Sequence, residues 1–173
     1  LLNGATGEEI WRLNQAPQQK LKYNVVSTDF GGAAGSSVGT VNEVIGFDRT
    51  GMLAWTFSTN GTPWAIREIN HIGGTPGSDV IAGTTTGWVY ALNGDDGVQL
   101  WATSLGSGSF INDIVIVPDL TGSGFQDVFV SGINPNVYLL EGSNGSIVWQ
   151  QHTGGNILGK GIVGDLNADG FPE

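Results

Sequence analysis

Four tryptophans recur along the chain at nearly equal intervals. They are Trp11, Trp55, Trp101 and Trp149, and the successive spacings are 44, 46 and 48 residues. A glycine precedes each of them by four positions. A fixed period in this range is the signature of a repeat architecture. The sequence therefore predicts a chain built from repeats of about 46 residues.

Each tryptophan closes a segment that has the pattern of a strand, a tight polar turn and a second strand. The clearest copy is ALNGDDGVQLW at Ala91–Trp101, and the other three tryptophans close similar segments. A side chain that recurs once per repeat at one strand position most simply packs between repeats, so we interpret these tryptophans as scaffold. The alternative is a ring-stacking platform for a ligand. Trp64 and Trp88 fall outside the ladder and are better candidates for an exposed binding surface.

Short apolar segments between Gly, Asn and Asp turns predict an all-β chain. From residue 56 onward the predicted strands are Trp64–Ile72, Asp79–Gly83, Trp88–Leu92, Val98–Thr103, Phe110–Val117, Asp127–Gly132, Val137–Leu140 and Ile147–Gln151. Residues 31–37 look too rich in small side chains for a regular strand. Four strands in about 46 residues make one blade of a β-propeller.

We therefore predict a partial β-propeller of four-stranded antiparallel blades. Residues 1–11 end a first blade, 12–55, 56–101 and 102–149 form three blades, and 150–173 begin another. An incomplete ring leaves exposed sheet edges, which native proteins avoid. We expect the rest of a longer chain, or another copy, to close it.

The amino-acid composition excludes some classes of binding partner. The net charge is -10, and only six residues are Lys or Arg. A nucleic-acid binder needs clustered cations, so this class is excluded. No apolar run approaches the roughly 20 residues of a spanning helix, so we expect no membrane insertion in this segment. The absence of cysteine leaves the redox compartment open.

The most specific chemical motif is the acidic loop DLNADGFPE at residues 165–173. Oxygen side chains at positions one, three, five and nine, with Gly at six, match the first part of an EF-hand-type loop. Such oxygen ligands suit Ca²⁺. The candidate ligands are Asp165, Asn167, Asp169, Glu173 and the backbone carbonyl of Phe171.

Two earlier loops occupy equivalent positions. One repeat back, the candidate ligands are Asp119, Thr121, Ser123, Phe125 and Asp127. Fewer charges predict weaker Ca²⁺ binding there, or a loop held by hydrogen bonds alone. The loop His71–Asp79 keeps only its final carboxylate, and we expect it to have lost its metal. For all three, the alternative is an Asx-type turn that needs no metal.

These loops, each followed by a strand and a Gly as in Asp127–Gly132, resemble the FG-GAP (integrin-α-like, or VCBS) repeat family. The resemblance covers most of residues 64–173. It implies a β-propeller with Ca²⁺ in its loops and commonly an extracellular adhesive or carbohydrate-associated role. The departures at Thr121, Ser123 and His71 predict that Ca²⁺ binding is not uniform.

A second resemblance concerns the scaffold. The spacing of Ala91, Asn93, Gly97 and Trp101 is similar to the tryptophan-docking repeat of quinoprotein (pyrroloquinoline-quinone-type) propellers. In enzymes of that family the quinone sits on the axis of an eight-bladed ring. Asn93, and Glu141 one repeat later, replace the family's usual Asp.

These patterns favour a calcium-stabilised propeller segment, extracellular or at the cell surface, that binds a protein or carbohydrate ligand through its loop face. Catalysis is disfavoured because the only histidines are His71 and His152 and no Ser-centred elbow is present. The alternatives are a fragment of a propeller enzyme, either a PQQ-dependent dehydrogenase or a polysaccharide lyase, and a structural surface-array or filament subunit.

Overall fold

The computed structural model describes residues 2–10, 23–30, 33–73, 76–158 and 166. Its strands are β1 Tyr23–Phe30, β2 Ala33–Gly39, β3 Glu43–Asp48, β4 Leu53–Ser58, β5 Pro63–Ile69, β6 Asp79–Thr84, β7 Trp88–Leu92, β8 Gln99–Ser104, β9 Phe110–Val117, β10 Asp127–Leu140 and β11 Ile147–His152. These ranges contain no helix long and apolar enough to cross a membrane.

The strands form three antiparallel sheets in chain order, β1–β4, β5–β8 and β9–β11. In the third sheet, β10 supplies both middle strands. A straight strand of 14 residues would span about 46 Å, yet the Gly142 N–H donates to Asp127 Oδ1 across 3.1 Å. The segment through Ile133 pairs with β9, and the segment from Asn136 pairs with β11. The third sheet therefore follows the same four-stranded path as the other two.

The first strands of successive sheets lie side by side, β1 beside β5 and β5 beside β9. The sheets thus stack around a common inner layer, as the blades of a propeller do. This arrangement confirms the predicted partial β-propeller.

The core lies between the blades, because alternate residues of a strand face opposite sides of its sheet. In β6, Val80 packs with Trp55 in the cluster between the first and second blades. Its neighbour Ile81 packs with Trp101 in the cluster between the second and third. Burying each such side chain contributes roughly 1.5–3 kcal/mol. A middle strand buried on both faces explains the unbroken apolar run that begins at residue 80.

One expectation was wrong: most of residues 31–37 lie in the regular strand β2. Close packing is the physical reason for its small residues. Ser37 is fully buried. A Cβ added to Gly39, at the end of the same strand, would lie 2.9 Å from the Pro63 carbonyl oxygen of the second blade. Larger side chains would push the two blades apart.

Candidate functional site

The turns of the chain lie at two ends of the blades, because consecutive strands are antiparallel. We call one the docking-turn end; it contains residues 49–52, 70–73, 76–78, 93–98, 118–126 and 141–146. We call the other the linker end; it contains residues 40–42, 59–62, 85–87, 105–109 and 134–135. The described acidic loops and the turns before Trp55, Trp101 and Trp149 belong to the docking-turn end.

Two of the repeated tryptophans join neighbouring blades. Trp55 Nε1 donates to the Gly94 carbonyl oxygen at 3.0 Å, and Trp101 Nε1 donates to the Gly142 carbonyl oxygen at 2.8 Å. Both side chains are buried, with exposures of 8% and 6%. The predicted scaffold role is confirmed for these two, whereas Trp11 lies outside the described residues.

The glycines that precede Trp101 and Trp149 by four positions each lie against the tryptophan one repeat earlier. Gly97 and Gly145 both have φ of +72°, which non-glycine residues rarely adopt. A Cβ at Gly97 would lie 2.5 Å from the Trp55 ring, and one at Gly145 would lie 2.4 Å from the Trp101 ring. The periodic glycine is therefore integral to the contact between blades.

The turn that contains Gly94 is also held by a buried carboxylate of its own blade, Asp79. Asp79 accepts hydrogen bonds from the Gly94 N–H at 3.1 Å and the Ile72 N–H at 2.8 Å. Gly94 is thus held through its N–H by this carboxylate and through its carbonyl by Trp55. Burial raises the pKa of Asp79, against the opposing effects of these two hydrogen bonds and of nearby His71. His71 Nδ1 lies 4.0 Å from Asp79 Oδ2.

Asp127 has the same role in the next repeat. It accepts hydrogen bonds from the Gly142 N–H at 3.1 Å, the Leu120 N–H at 2.8 Å and the Thr121 N–H at 3.1 Å. We call Asp79 and Asp127 the latch aspartates. Each ties the loop before its own strand to the turn that receives a tryptophan.

Asp119 organises the acidic loop of the third blade. It accepts hydrogen bonds from the backbone N–H groups of Gly122, Ser123 and Gly124, at 2.7, 3.1 and 2.7 Å. The Thr121 hydroxyl also donates to it, at 3.3 Å. Hydrogen bonding, first from Gly124, holds the pKa of Asp119 below its ordinary value. The loop is therefore closed by its own backbone.

This loop offers a cation few further ligands in the described arrangement. Asp119 and Asp127 face amide donors, and the Thr121 hydroxyl lies between them, 3.3 and 3.4 Å from the two carboxylates. Ser123 Oγ accepts from the Phe125 N–H. Ca²⁺ takes six to eight oxygens, and the described ranges contain no metal-holding group of three or more His, Cys, Asp or Glu. Hydrogen bonds alone account for this loop, and Ca²⁺ binding there stays a prediction.

The better candidate calcium loop lies outside the described residues. Asp165, Asn167, Asp169, Phe171 and Glu173 all belong to that stretch of the chain, in which only the exposed Leu166 is described. Their role as ligands also stays a prediction.

Sequence reasoning missed a charged pair on the inner strands. Arg67 Nη2 of β5 lies 2.6 Å from Asp113 Oδ1 of β9, and Arg67 Nη1 donates to the Ile66 carbonyl oxygen. The two residues are 46 positions apart, which is one repeat. The register places Val115 of β9 at the position equivalent to Arg67, so the pair is not repetitive. Because Arg67 and Asp113 are separated by one repeat, the repeat period could have pointed to this pair.

The tryptophans outside the ladder are half-buried. The Trp64 and Phe110 ring centroids are 5.1 Å apart, edge to face, on neighbouring inner strands. The Trp88 ring stacks on Tyr90 at 5.9 Å. Each therefore belongs to an aromatic pair and retains only partial exposure. His152 lies on the exposed strand β11, where Nδ1 is 3.3 Å from Asn136 Oδ1.

A shallow cleft of about 310 Å³ opens at the linker end. Its lining residues are Thr40, Val41, Asn42, Glu43, Ser58 and Thr59. The Thr62 hydroxyl donates to the Val41 carbonyl oxygen at 2.6 Å, and the Thr59 N–H donates to the Asn42 carbonyl oxygen at 2.8 Å. The cleft is therefore held in shape by bonds between two linker-end turns, with the Val41 side chain exposed.

Sequence comparison relates the chain distantly to a bacterial protein. It is 31% identical over 88 residues to outer membrane protein assembly factor BamB of Salmonella typhimurium, covering 50% of this chain and 22% of that protein. It is 34% identical over 87 residues to BamB of Escherichia coli, covering 49% of this chain and 22% of that protein. No family model matches the sequence.

Comparison with solved structures supports the fold. Saccharomyces cerevisiae Sqt1 aligns with a TM-score of 0.68 at 13% identity, over 86% of this chain and 42% of that one. BBS1N, in a complex with ARL6DN, aligns with a TM-score of 0.64 at 14% identity, over 94% of this chain and 50% of that one. The chain thus spans half or less of the proteins that it matches, and the likeness shows its fold, that of a β-propeller.

Proposed function

We propose that this chain belongs to a β-propeller that binds another protein, as an assembly factor does. The observation that carries the proposal is the sequence similarity to outer membrane protein assembly factor BamB. The repeated residues fit this role as scaffold, since the docked tryptophans and latch aspartates are buried between blades. Binding surfaces then lie on loops that the scaffold positions.

The linker end is the better docking face for a protein partner. At the docking-turn end, Gly94 and Gly142 already bind the tryptophans and the latch aspartates. The linker end instead carries the preformed cleft with the exposed Val41. The net charge of -10 favours a partner with a basic surface, because complementary potentials speed encounter and suppress wrong pairings.

Paired variants at the two ends test this proposal. Val41→Asp places a charge in the cleft, and Met52→Asp, at an exposed apolar residue of the docking-turn end, is the control. Immobilised variants are exposed to extract of the source organism, and captured proteins are quantified by mass spectrometry. We expect one or more partners retained by the wild type and Met52→Asp and at least ten-fold depleted by Val41→Asp. Equal capture by both variants would contradict the linker-end proposal.

We further propose that Ca²⁺ stabilises the propeller through the loop 165–173, in a protein that works outside the cell or at its surface. The support is the spacing of oxygen side chains around Gly170. Extracellular calcium modules bind in the range of roughly 10⁻⁴–10⁻³ M, which suits a loop with few carboxylates. A glycan ligand and an adhesive role belong to the same proposal and rest on the FG-GAP resemblance.

Chelation of Ca²⁺ tests whether the loop 165–173 binds the ion, and the loop 119–127, which hydrogen bonds hold closed, serves as the control. EGTA is expected to lower the melting temperature of the wild type by several degrees, since removing a bound ion destabilises the native state. Asp165→Ala is expected to abolish that response, whereas Asp119→Ala keeps it. A melting temperature that EGTA leaves unchanged would refute the calcium proposal and leave the protein-binding proposal intact.

A second function, a ligand site on the inner strands, is favoured by the pair Arg67–Asp113. Non-repetitive charged residues at the axis are what a propeller enzyme needs, and the half-buried Trp64–Phe110 pair lies on the same two strands. The experiment is titration with pyrroloquinoline quinone, followed by its absorbance, in the wild type and Arg67→Gln. Binding that the variant loses would support this alternative, and an unchanged spectrum would reject it.

A further inference from the structure

The turn between the first and second blades contains an asparagine followed by a glycine, Asn60 and Gly61. The same dipeptide occurs before three of the repeated tryptophans, at Asn3, Asn93 and Asn144. Asparagine is a thermolabile side chain. A following glycine favours its breakdown, because glycine has no side chain to keep its backbone nitrogen away from the asparagine carboxamide. The fold decides which of the four copies can react.

The three asparagines that precede the tryptophans have their carboxamides held in local hydrogen bonds. In each case Oδ1 accepts from the backbone N–H two residues further along the chain: Ala5 donates to Asn3 at 2.9 Å, Asp95 to Asn93 at 2.9 Å and Ser146 to Asn144 at 2.8 Å. This is the bond of an Asx-turn. Rotation of the carboxamide toward the following nitrogen must first break it.

Two of the following glycines also have an occupied backbone N–H. The Gly94 N–H donates to the latch aspartate Asp79 at 3.1 Å, and the Gly145 N–H donates to the Glu141 carbonyl oxygen at 2.8 Å. These bonds fix the peptide plane, so the nitrogen cannot turn toward the side chain without losing its acceptor. The turns that dock tryptophans are therefore protected at both reacting groups, and Asn93 is also buried.

Asn60 is exposed and lacks both restraints. None of the described residues accepts a hydrogen bond from the Gly61 N–H. The Thr86 hydroxyl lies 3.4 Å from Asn60 Oδ1, which is longer than usual for a hydroxyl and an oxygen. The backbone is nevertheless held, since the Asn60 N–H donates to Tyr90 Oη at 3.1 Å and the Thr86 hydroxyl donates to the Asn60 carbonyl oxygen. The reacting groups are thus free within an ordered turn.

We propose that Asn60 is a modification site, at which the asparagine converts spontaneously to isoaspartate. The Gly61 nitrogen attacks Cγ of Asn60 and forms an N–Cγ bond. The Cγ–Nδ2 bond breaks, and Nδ2 leaves as ammonia with the proton of the Gly61 N–H. Water then opens the cyclic succinimide at either carbonyl and yields aspartate or isoaspartate. The Thr86 hydroxyl can donate to Oδ1 as negative charge develops on that oxygen.

The modification would change the face of the linker end. Thr59 precedes the site and lines the cleft, and the hydroxyl of Thr62, which follows it, donates to the Val41 carbonyl oxygen at 2.6 Å. Isoaspartate routes the backbone through the former side chain and lengthens the chain between Thr59 and Thr62. Conversion therefore adds a negative charge beside the cleft and loosens the bonds that shape it. The reaction itself does not depend on the proposed protein binding.

Ageing of the intact, folded chain in mildly alkaline buffer tests this proposal. Peptide mapping resolves the four asparagines, and protein isoaspartate methyltransferase labels the product. We expect Asn60 to convert about ten-fold faster or more than Asn93 and Asn144, which is the factor that one hydrogen bond contributes. Asn3 has one of the two restraints and should fall between them. Asn60→Gln, which keeps the amide on a longer side chain, is the control and should lose the label at this position.

The same experiment in urea separates the effect of the fold from that of the dipeptide. All four copies have the same dipeptide, so the unfolded chain should convert them at similar rates. Preference for Asn60 in the folded chain, lost in urea, supports the proposal. Conversion of Asn93 or Asn144 as fast as Asn60 in the folded chain overturns it. A folded chain that keeps Asn60 intact while the unfolded chain reacts, or a preference that persists in urea, also overturns it.

Discussion

The same tryptophan has two different environments in this molecule. At the closed junctions, Trp55 and Trp101 donate to a turn carbonyl of the next blade and are buried. In the third blade, Trp149 lies in the same sequence pattern, yet 42% of its surface is exposed. Each blade supplies a tryptophan at the same strand position, but the tryptophan is buried only where a neighbouring blade packs against it. In a repeat protein, stability therefore resides at the interfaces between repeats.

The largest expected effect on stability is the difference between alanine variants of the buried and the exposed tryptophan. Trp101→Ala should lower the free energy of unfolding by about 3–5 kcal/mol, because it empties a buried site between two blades. Trp149→Ala should cost about 1 kcal/mol or less, as the truncation of an exposed residue does. Urea unfolding measures both free energies. Equal losses would contradict the distinction between the buried Trp101 and the exposed Trp149.

The latch aspartates should show the next largest effect. Asp127→Ala leaves the N–H groups of Leu120 and Gly142 without their acceptor, and we expect a loss of about 2–4 kcal/mol. Asp119→Ala removes hydrogen bonds in an exposed loop that joins no blades, so it should cost less. If the two variants unfold at the same urea concentration, Asp127 does not secure the docking turn.

Two glycine variants separate the cost of a clash with a tryptophan ring from the cost of backbone strain at positive φ. Gly145→Ala combines a positive φ with a clash against the Trp101 ring, and we expect a loss of about 2–4 kcal/mol. Gly7→Ala has the same φ with open space around it and should cost only about 1–2 kcal/mol. Thermal unfolding of both variants gives the difference. A difference near zero would mean that φ alone selects glycine.

The smallest expected effect is the change of stability with pH. Its sign should be opposite for Asp119 and Asp79. The lowered pKa of Asp119 means that it contributes stability above pH 3.8, which is lost as pH falls through its lowered value. The raised pKa of Asp79 means that stability falls as pH rises from 3.8 through its raised value. Unfolding of Asp119→Asn and Asp79→Asn against the wild type from pH 2 to 7 checks these signs. Shifts in the same direction at both sites would contradict them.

The repeat period was sufficient to predict a partial propeller of four-stranded antiparallel blades and the buried role of Trp55 and Trp101. The expectation for residues 31–37 failed at β2, because small residues are poor strand formers by themselves and the sequence does not show that the second blade lies close enough to exclude a Cβ at Gly39. The latch role of Asp79 and Asp127 was also missed. Spacing placed both at the end of an acidic loop, but only three-dimensional structure shows that they bind turns 15 residues further on.

A double-mutant cycle between Trp101 and Gly145 tests the central claim, that docking between blades explains the tryptophan period. The free energy of unfolding is measured for Trp101→Ala, Gly145→Ala and the double variant. If the ring lies against Gly145, the alanine at position 145 should cost at least about 1 kcal/mol less when Trp101 is absent, as contacting residues are coupled. Additive losses, with coupling below about 0.3 kcal/mol, would contradict the claim.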